Sequence, residues 1–298
     1  AAAMDRVRAG PAALKLHLNP DLKLSGWSTL DWCEENYAVS ESIAEFWNAL
    51  SGFVMIVLSI YGLDSCRRLS LESRYMLSYL GMCLIGVGTV IFHCTLSYGG
   101  QLSDELPMVW ATCVMLYSAA LPFVRSPFQD AALKICLLLY AAGVSVLYLT
   151  WFKRTPVFFE VSYGALPVSM IVLIIVNICN CPTPTRGLLW GLFLRAITCY
   201  LGGFAAWNIE NLFCGDVRAL RTLVGRTFAP VLELHMWWHV GQIATYDAIV
   251  ILCMAHHCRS GRIAMRYVCN FLPYLVEVTP TDAKERHGRW PGKNTKNF

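Results

Sequence analysis

Long apolar runs separated by short polar breaks dominate the chain from residue 44 to 256. Seven of them, at roughly 44–63, 75–96, 105–124, 130–151, 155–180, 187–207 and 229–255, have the length a bilayer crossing needs, about 20 mostly apolar residues. The pattern predicts an all-α integral membrane protein, a seven-transmembrane-helix bundle over 44–256, with an N-terminal segment (1–43) before it and a C-terminal tail (257–298) after it. About 40 polar-to-mixed residues precede the first run, which reads as a span and not as a cleavable signal peptide. Beyond residue 270 the tail mixes prolines and charges and reads as flexible or peripheral.

Composition sharpens this. Of 298 residues 56% are hydrophobic and 15% charged, with a mean hydropathy of +0.48, too apolar for an ordinary soluble domain. The net charge of +4 is small and its basic residues lie mostly in loops and the tail, so no nucleic-acid partner is expected. The thirteen cysteines follow no metal or disulfide spacing. Those inside the runs, such as Cys83, Cys113, Cys136 and Cys253, read as small core residues, whereas Cys33 and Cys214 fall in polar segments at the membrane boundaries.

Three histidines, His93, His235 and His239, interrupt the apolar runs. An ionisable side chain at membrane depth is costly and marks a functional site by default. His235 and His239 stand at i and i+4 and share one helix face. With seven crossings, spans 2, 4 and 6 end on the N-terminal side and spans 3, 5 and 7 begin there. That face collects His93, Asp104, Tyr163, Trp207, Asn208, His235, His239 and the acidic stretch before span 1. Three imidazoles are a tridentate zinc set with a fourth position for water, whose pKa would fall toward ~7. Asp104 is the candidate general base or acid. Thr89, at i−4 from His93, is placed to hydrogen-bond an oxyanion. Tyr163 and Trp238 are either pocket residues or interfacial aromatic anchors. Glu160, three residues before Tyr163, either binds a headgroup hydroxyl or is a solvated span end. His17, His256, His257 and His287 read as surface residues.

A second pair of charges, Arg195 in span 6 and Asp247 in span 7, lies at matching depth from the opposite face and is expected to form a structural ion pair, unless Arg195 snorkels to the interface. Loop charges leave the orientation open. Arg67, Arg68, Arg74, Arg125, Arg186, Arg259, Arg262 and Arg266 on one side outnumber Lys153, Arg154, Arg218, Arg221 and Arg226 on the other, favouring a cytosolic C-terminus. Arg6, Arg8, Lys15 and Lys23 erase that bias.

The chain resembles the alkaline ceramidases, of the wider group of seven-span membrane hydrolases that includes the adiponectin receptors. The resemblance rests on Ser28-Thr-Leu-Asp-Trp-Cys-Glu-Glu-Asn36, Ile43-Ala-Glu-Phe-Trp-Asn48, Phe92-His93, Asp104-Glu-Leu-Pro-Met108, Trp207-Asn208 and His235-Met-Trp-Trp-His239. It implies hydrolysis of the ceramide amide to a sphingoid base and a fatty acid, with zinc on His93, His235 and His239 and acid/base work by Asp104. It also implies a calcium site at Asp31, the Trp32 carbonyl, Glu34, Asn36 and Glu45. Closely spaced oxygen ligands suit that cation, although the spacing is not an EF-hand. A Cys33–Cys214 disulfide and a lumenal N-terminus in the endoplasmic reticulum or Golgi, with the C-terminus cytosolic, are implied as well. One departure is Thr89 where the family carries serine. It keeps the hydroxyl but restricts χ1, so retained chemistry with an altered rate or chain preference is expected.

The partners expected are ceramide and membrane lipids, with no obligate protein partner. The alternative reading is a receptor-like seven-span protein with a structural zinc site and little turnover. A transporter is disfavoured by the absence of an evident inverted repeat.

Overall fold

The structure, a computed structural model, describes residues 26–153, 155–258, 260–268 and 271–278. His17, His287, Arg154, Arg259 and the basic residues before position 26 lie outside them. Eight α-helices follow in order: α1 (Phe46–Arg68), α2 (Ser73–Thr95), α3 (Tyr98–Ala120), α4 (Pro127–Thr150), α5 (Pro156–Cys179), α6 (Thr183–Val224), α7 (Leu234–Gly241) and α8 (Ile243–His257). α7 and α8 form one broken span, so among the described residues seven helical stretches are long and apolar enough to cross a membrane. The protein is an all-α seven-helix integral membrane bundle.

Local sequence explains the helix starts. Ser97 caps α3 by accepting the Gly100 N–H at 3.0 Å. Ser126 caps α4 ahead of Pro127, accepting the Gln129 N–H at 3.2 Å. α8 is the axis of the bundle, packed against α1, α2, α3, α5 and α6 and buried along almost its whole length. The outer faces of α4 and α5 instead expose Leu138, Leu139, Val161 and Val168, as lipid requires. Close helix approach comes from glycines. A Cβ at Gly88 would stand 1.9 Å from the Ser103 carbonyl oxygen, so α2 and α3 meet backbone to backbone there. Gly203 against the Trp237 carbonyl and Gly241 against the Cys199 carbonyl do the same for α6 and α7.

Several expectations change. α3 begins at Tyr98, so Asp104 sits in its second turn and not at a span start. α6 continues past Asn208 to Val224, with non-helical backbone at Phe213. Arg218 and Arg221 therefore belong to a helix, where they bind protein carbonyls, and are not loop charges. Cys136 is exposed on the lipid side and is no core residue. His256 is half-buried and bonded to the Tyr75 hydroxyl, and His257 lies 3.0 Å from Glu72. Finally, the tail opens with an antiparallel hairpin, β1 (Ile263–Val268) and β2 (Leu272–Glu277). Its alternate residues Pro273 and Leu275 are buried, and it packs on α8 and α1.

Arg195 Nε donates to Asp247 Oδ2 at 2.8 Å, and a second guanidinium nitrogen bonds Oδ1. Asp247 is fully buried. Removing one member of such a pair strands the other in an apolar interior. Arg195→Leu and Asp247→Leu should each cost about 3–5 kcal/mol, and the double variant less than their sum. Unfolding of the four proteins in bilayer discs measures this, and additive losses would refute the coupling.

Candidate metal centre

His93 closes α2, and His235 and His239 share one face of α7. They are 1%, 4% and 4% exposed. Their ring centroids are 4.7–5.1 Å apart, and one ligating nitrogen from each lies within 4.8 Å of the others. Among the described residues no other three His, Cys, Asp or Glu side chains converge so closely.

The remaining nitrogens are held from behind. His93 Nδ1 donates to Glu45 Oε2. Ser51 gives its own proton to the Asn48 carbonyl, so His239 Nδ1 must donate to Ser51 Oγ, at 2.7 Å. Both contacts select the Nδ1–H tautomer and leave Nε2 with its lone pair free. His93 Nε2 and His235 Nδ1 are buried with no protein partner, an arrangement that costs free energy unless another group satisfies them. Three converging imidazoles, two of them with an orphaned nitrogen, fit zinc.

Sequence reasoning missed what fixes α7. Glu210 on α6 accepts the N–H groups of Leu234 at 2.9 Å and His235 at 3.0 Å, capping the helix that carries the histidine pair. Arg221 ion-pairs with Glu210 and with Glu233, the latter at 2.6 Å, and donates to the Cys33 carbonyl at 3.0 Å. Also missed was Glu105, which takes bonds from Tyr148 at 2.6 Å and Gln101 at 3.0 Å. Gln101 in turn accepts the Thr29 N–H at 2.8 Å. A polar residue beside Asp104 inside an apolar run was the available signal for Glu105. Nothing local marks Glu210 or Arg221, whose partners are distant in sequence.

The close approach at Gly88 sets Thr89 Oγ1 donating to Asp104 Oδ1 at 2.7 Å. A hydroxyl has one proton, so in this arrangement Thr89 orients Asp104 and does not point at an oxyanion. Both residues, with His235, His239, Tyr163 and Trp238, line a mostly apolar cavity of about 430 Å³. Glu160 lines it too. Tyr163 stacks on Phe159 with ring centroids 5.9 Å apart, and Trp238 meets Tyr200 edge-on at 5.3 Å. Both aromatic residues therefore face the cavity. Trp207 also lines it, edge-on to Trp32, while Asn208 bonds back to its own helix at Phe204.

The acidic loop lies directly behind. Asp31 accepts from Asn36 Nδ2 at 3.0 Å. Glu34 accepts the N–H groups of Trp47 and Asn48 at 2.7 and 2.9 Å. Glu45 accepts the Trp32 N–H at 3.0 Å besides His93. Burial, reinforced by the charge of Glu45, pushes Glu34 up to about 7. Burial, reinforced by Asp31, pushes Glu45 up to about 8. These carboxylates are donors of the type a hard cation takes, but they do not converge as the three histidines do, and those of Glu34 and Glu45 already accept hydrogen bonds. The Cys33 and Cys214 sulfurs are bonded to each other, joining the loop to α6.

The sequence matches the family described as Ceramidase over residues 25–276. It is 39% identical over 213 residues to alkaline ceramidase 3 of Mus musculus, a match covering 72% of this chain and 78% of that protein. To alkaline ceramidase YPC1 of Saccharomyces cerevisiae it is 31% identical over 263 residues, covering 82% and 80%. To the alkaline ceramidase of Arabidopsis thaliana it is 26% identical over 258 residues, covering 85% and 94%.

Outer partners of metal-binding histidines typically change affinity by about 10–100-fold when removed. Ser51→Ala should therefore lose metal to a chelator at roughly tenfold lower chelator concentration than wild type. Unchanged retention would mean that Ser51 does not orient His239.

Proposed function

The chain belongs to the ceramidase family, and on that premise we propose that it hydrolyses the amide of ceramide with zinc held by His93, His235 and His239. The observation that carries this reading is that His235 and His239, converged with His93, border one apolar cavity inside a membrane bundle together with the Thr89–Asp104 pair. Zinc, when bound, supplies a Lewis acid that polarises the amide carbonyl and acidifies water. With Oδ1 held by Thr89, Asp104 has Oδ2 available for proton traffic. It takes a proton from the attacking water and delivers one to the departing sphingoid nitrogen as the C–N bond breaks. The products are a sphingoid base and a free fatty acid. Tyr163 and Trp238 bind the substrate along the cavity wall, which shields the apolar chains from water.

Calcium belongs, in this reading, to Asp31, the Trp32 carbonyl, Glu34, Asn36 and Glu45. Its role is to brace: Glu45 touches both the Trp32 N–H and His93, so ordering the loop orders a zinc ligand. The Cys33–Cys214 bond requires an oxidising compartment. It supports a lumenal N-terminal face and a cytosolic C-terminus, in the endoplasmic reticulum or Golgi.

Asp104→Asn should lower fatty-acid release from a ceramide panel by about 10²–10⁴-fold, the range for a lost general acid–base group, with zinc content unchanged. Thr89→Ser should stay near wild type and Thr89→Val should fall, because only the first retains the donor to Asp104. Zinc-loaded wild type that releases nothing from any ceramide would instead favour a receptor-like protein. Chelating calcium should reduce turnover while zinc stays bound. Turnover indifferent to calcium would remove the bracing role.

A further inference from the structure

The β1–β2 hairpin turns back along the bundle instead of leaving it. Its base sits at the end of the spans, where an Arg262 guanidinium N–H donates to the Leu69 carbonyl at 3.3 Å. Five residues of strand carry the chain about 17 Å toward the tip at ~3.3 Å per residue. On the way Tyr274 meets Tyr61 of α1 with ring centroids 6.5 Å apart. The tip reaches Arg195 of α6, which bonds the Phe271 carbonyl and lies with its guanidinium carbon 5.1 Å from the Phe271 ring. Arg195 is level with Asp247, ten residues before the end of α8, or about 15 Å in at 1.5 Å per residue. Two independent measures of depth agree.

Backbone placed so deep must have its polar groups satisfied by protein, and the described residues next to the turn have partners of this kind. Arg195 serves the Phe271 carbonyl, and the Tyr246 hydroxyl donates to the Pro273 carbonyl at 2.7 Å. Pro273 has no N–H to leave unpaired, and the Phe271 N–H closes the turn on the Val268 carbonyl at 3.0 Å. Among the described residues flanking the turn, Tyr267, Val268 and Phe271 are 40%, 41% and 54% exposed and apolar or aromatic. Among the described hairpin residues the charges are Glu277, at the base, and Arg266, whose long stem can carry its head toward the interface. We propose that the hairpin is an intramembrane wedge lying on α8 between α1 and α6, and that Tyr267, Val268 and Phe271 form a surface in contact with lipid acyl chains.

The test uses the full chain in bilayer discs, with a fluorescent amino acid replacing Val268 and, as a control, Ser260 at the hairpin base. At 268, lipids brominated deep in their acyl chains should quench strongly and aqueous iodide weakly. At 260 the order should reverse. Equal iodide quenching at both positions would overturn the proposal by placing the tip in water. Absence of bromolipid quenching at 268 would overturn it by placing the tip against protein or a second copy. Phe271→Asp should lower the melting temperature far more than Phe271→Leu, and equal effects would count against a hydrocarbon setting. If Phe271→Asp does not fold, the quenching measurement decides alone.

Discussion

Every polar group carried into the interior of this bundle must find its partner inside the protein, because neither lipid nor an apolar core supplies one. The site is arranged around that constraint. The two oxygens of Glu45 are divided between the Trp32 N–H and His93. Ser51 passes a bond from His239 to the Asn48 carbonyl. Glu210 spends both oxygens on the first N–H groups of α7, and Arg221 neutralises it. Among the buried side-chain atoms left without a partner, His93 Nε2 and His235 Nδ1 belong to the one cluster of converging histidines among the described residues. Orphaned nitrogens on imidazoles that converge from three positions read as places reserved for a ligand.

The same constraint makes the N-terminal loop structural. It enters the bundle through main-chain bonds of Ala44 and Glu45 to the carbonyls of Cys94 and His93, and of Ser28 to that of Leu96. Side chains of Gln101, Arg218 and Arg221 hold it from α3 and α6. The loop is the floor under the histidines. Trp32 lies against His235 with ring centroids 4.3 Å apart, so movement of the loop would be felt at the centre directly.

Much of this was legible in the sequence because membrane chains advertise themselves. Seven apolar runs give the bundle, and serpentine order alone puts His93, Asp104 and the His235–His239 pair on one side. Arg195 and Asp247 could be matched by depth even though α6 begins earlier than the apolar run suggests. Illegible were the contacts that depend on where a helix stops. Hydropathy ends span 6 near residue 207, yet the helix continues through polar sequence to Val224, and Glu210 and Arg221 act from that extension. The break between α7 and α8 at Gln242 leaves no apolar interruption to notice. The hairpin hid for the opposite reason: its six-residue strands are too short to resemble spans, and a mixed tail reads as solvent-exposed. Thr89 was found, but its proton's direction depends on how closely Gly88 lets α3 approach, a distance no linear pattern encodes.

The loop's connections also impose an order of assembly. Residues 28–45 leave the ribosome first, but their partners at His93, Gln101, Cys214, Arg218 and Arg221 come later, the last after six spans. Until then the loop can settle only on the ends of α1, α2 and α3, and the histidines on α7 do not yet exist. The centre is therefore completed in steps, first on α2 and α3, then on α6, and last when α7 brings His235 and His239. A chain interrupted before residue 214 would display an incompletely seated acidic segment and an unpaired Cys33, features by which an immature molecule differs chemically from a finished one.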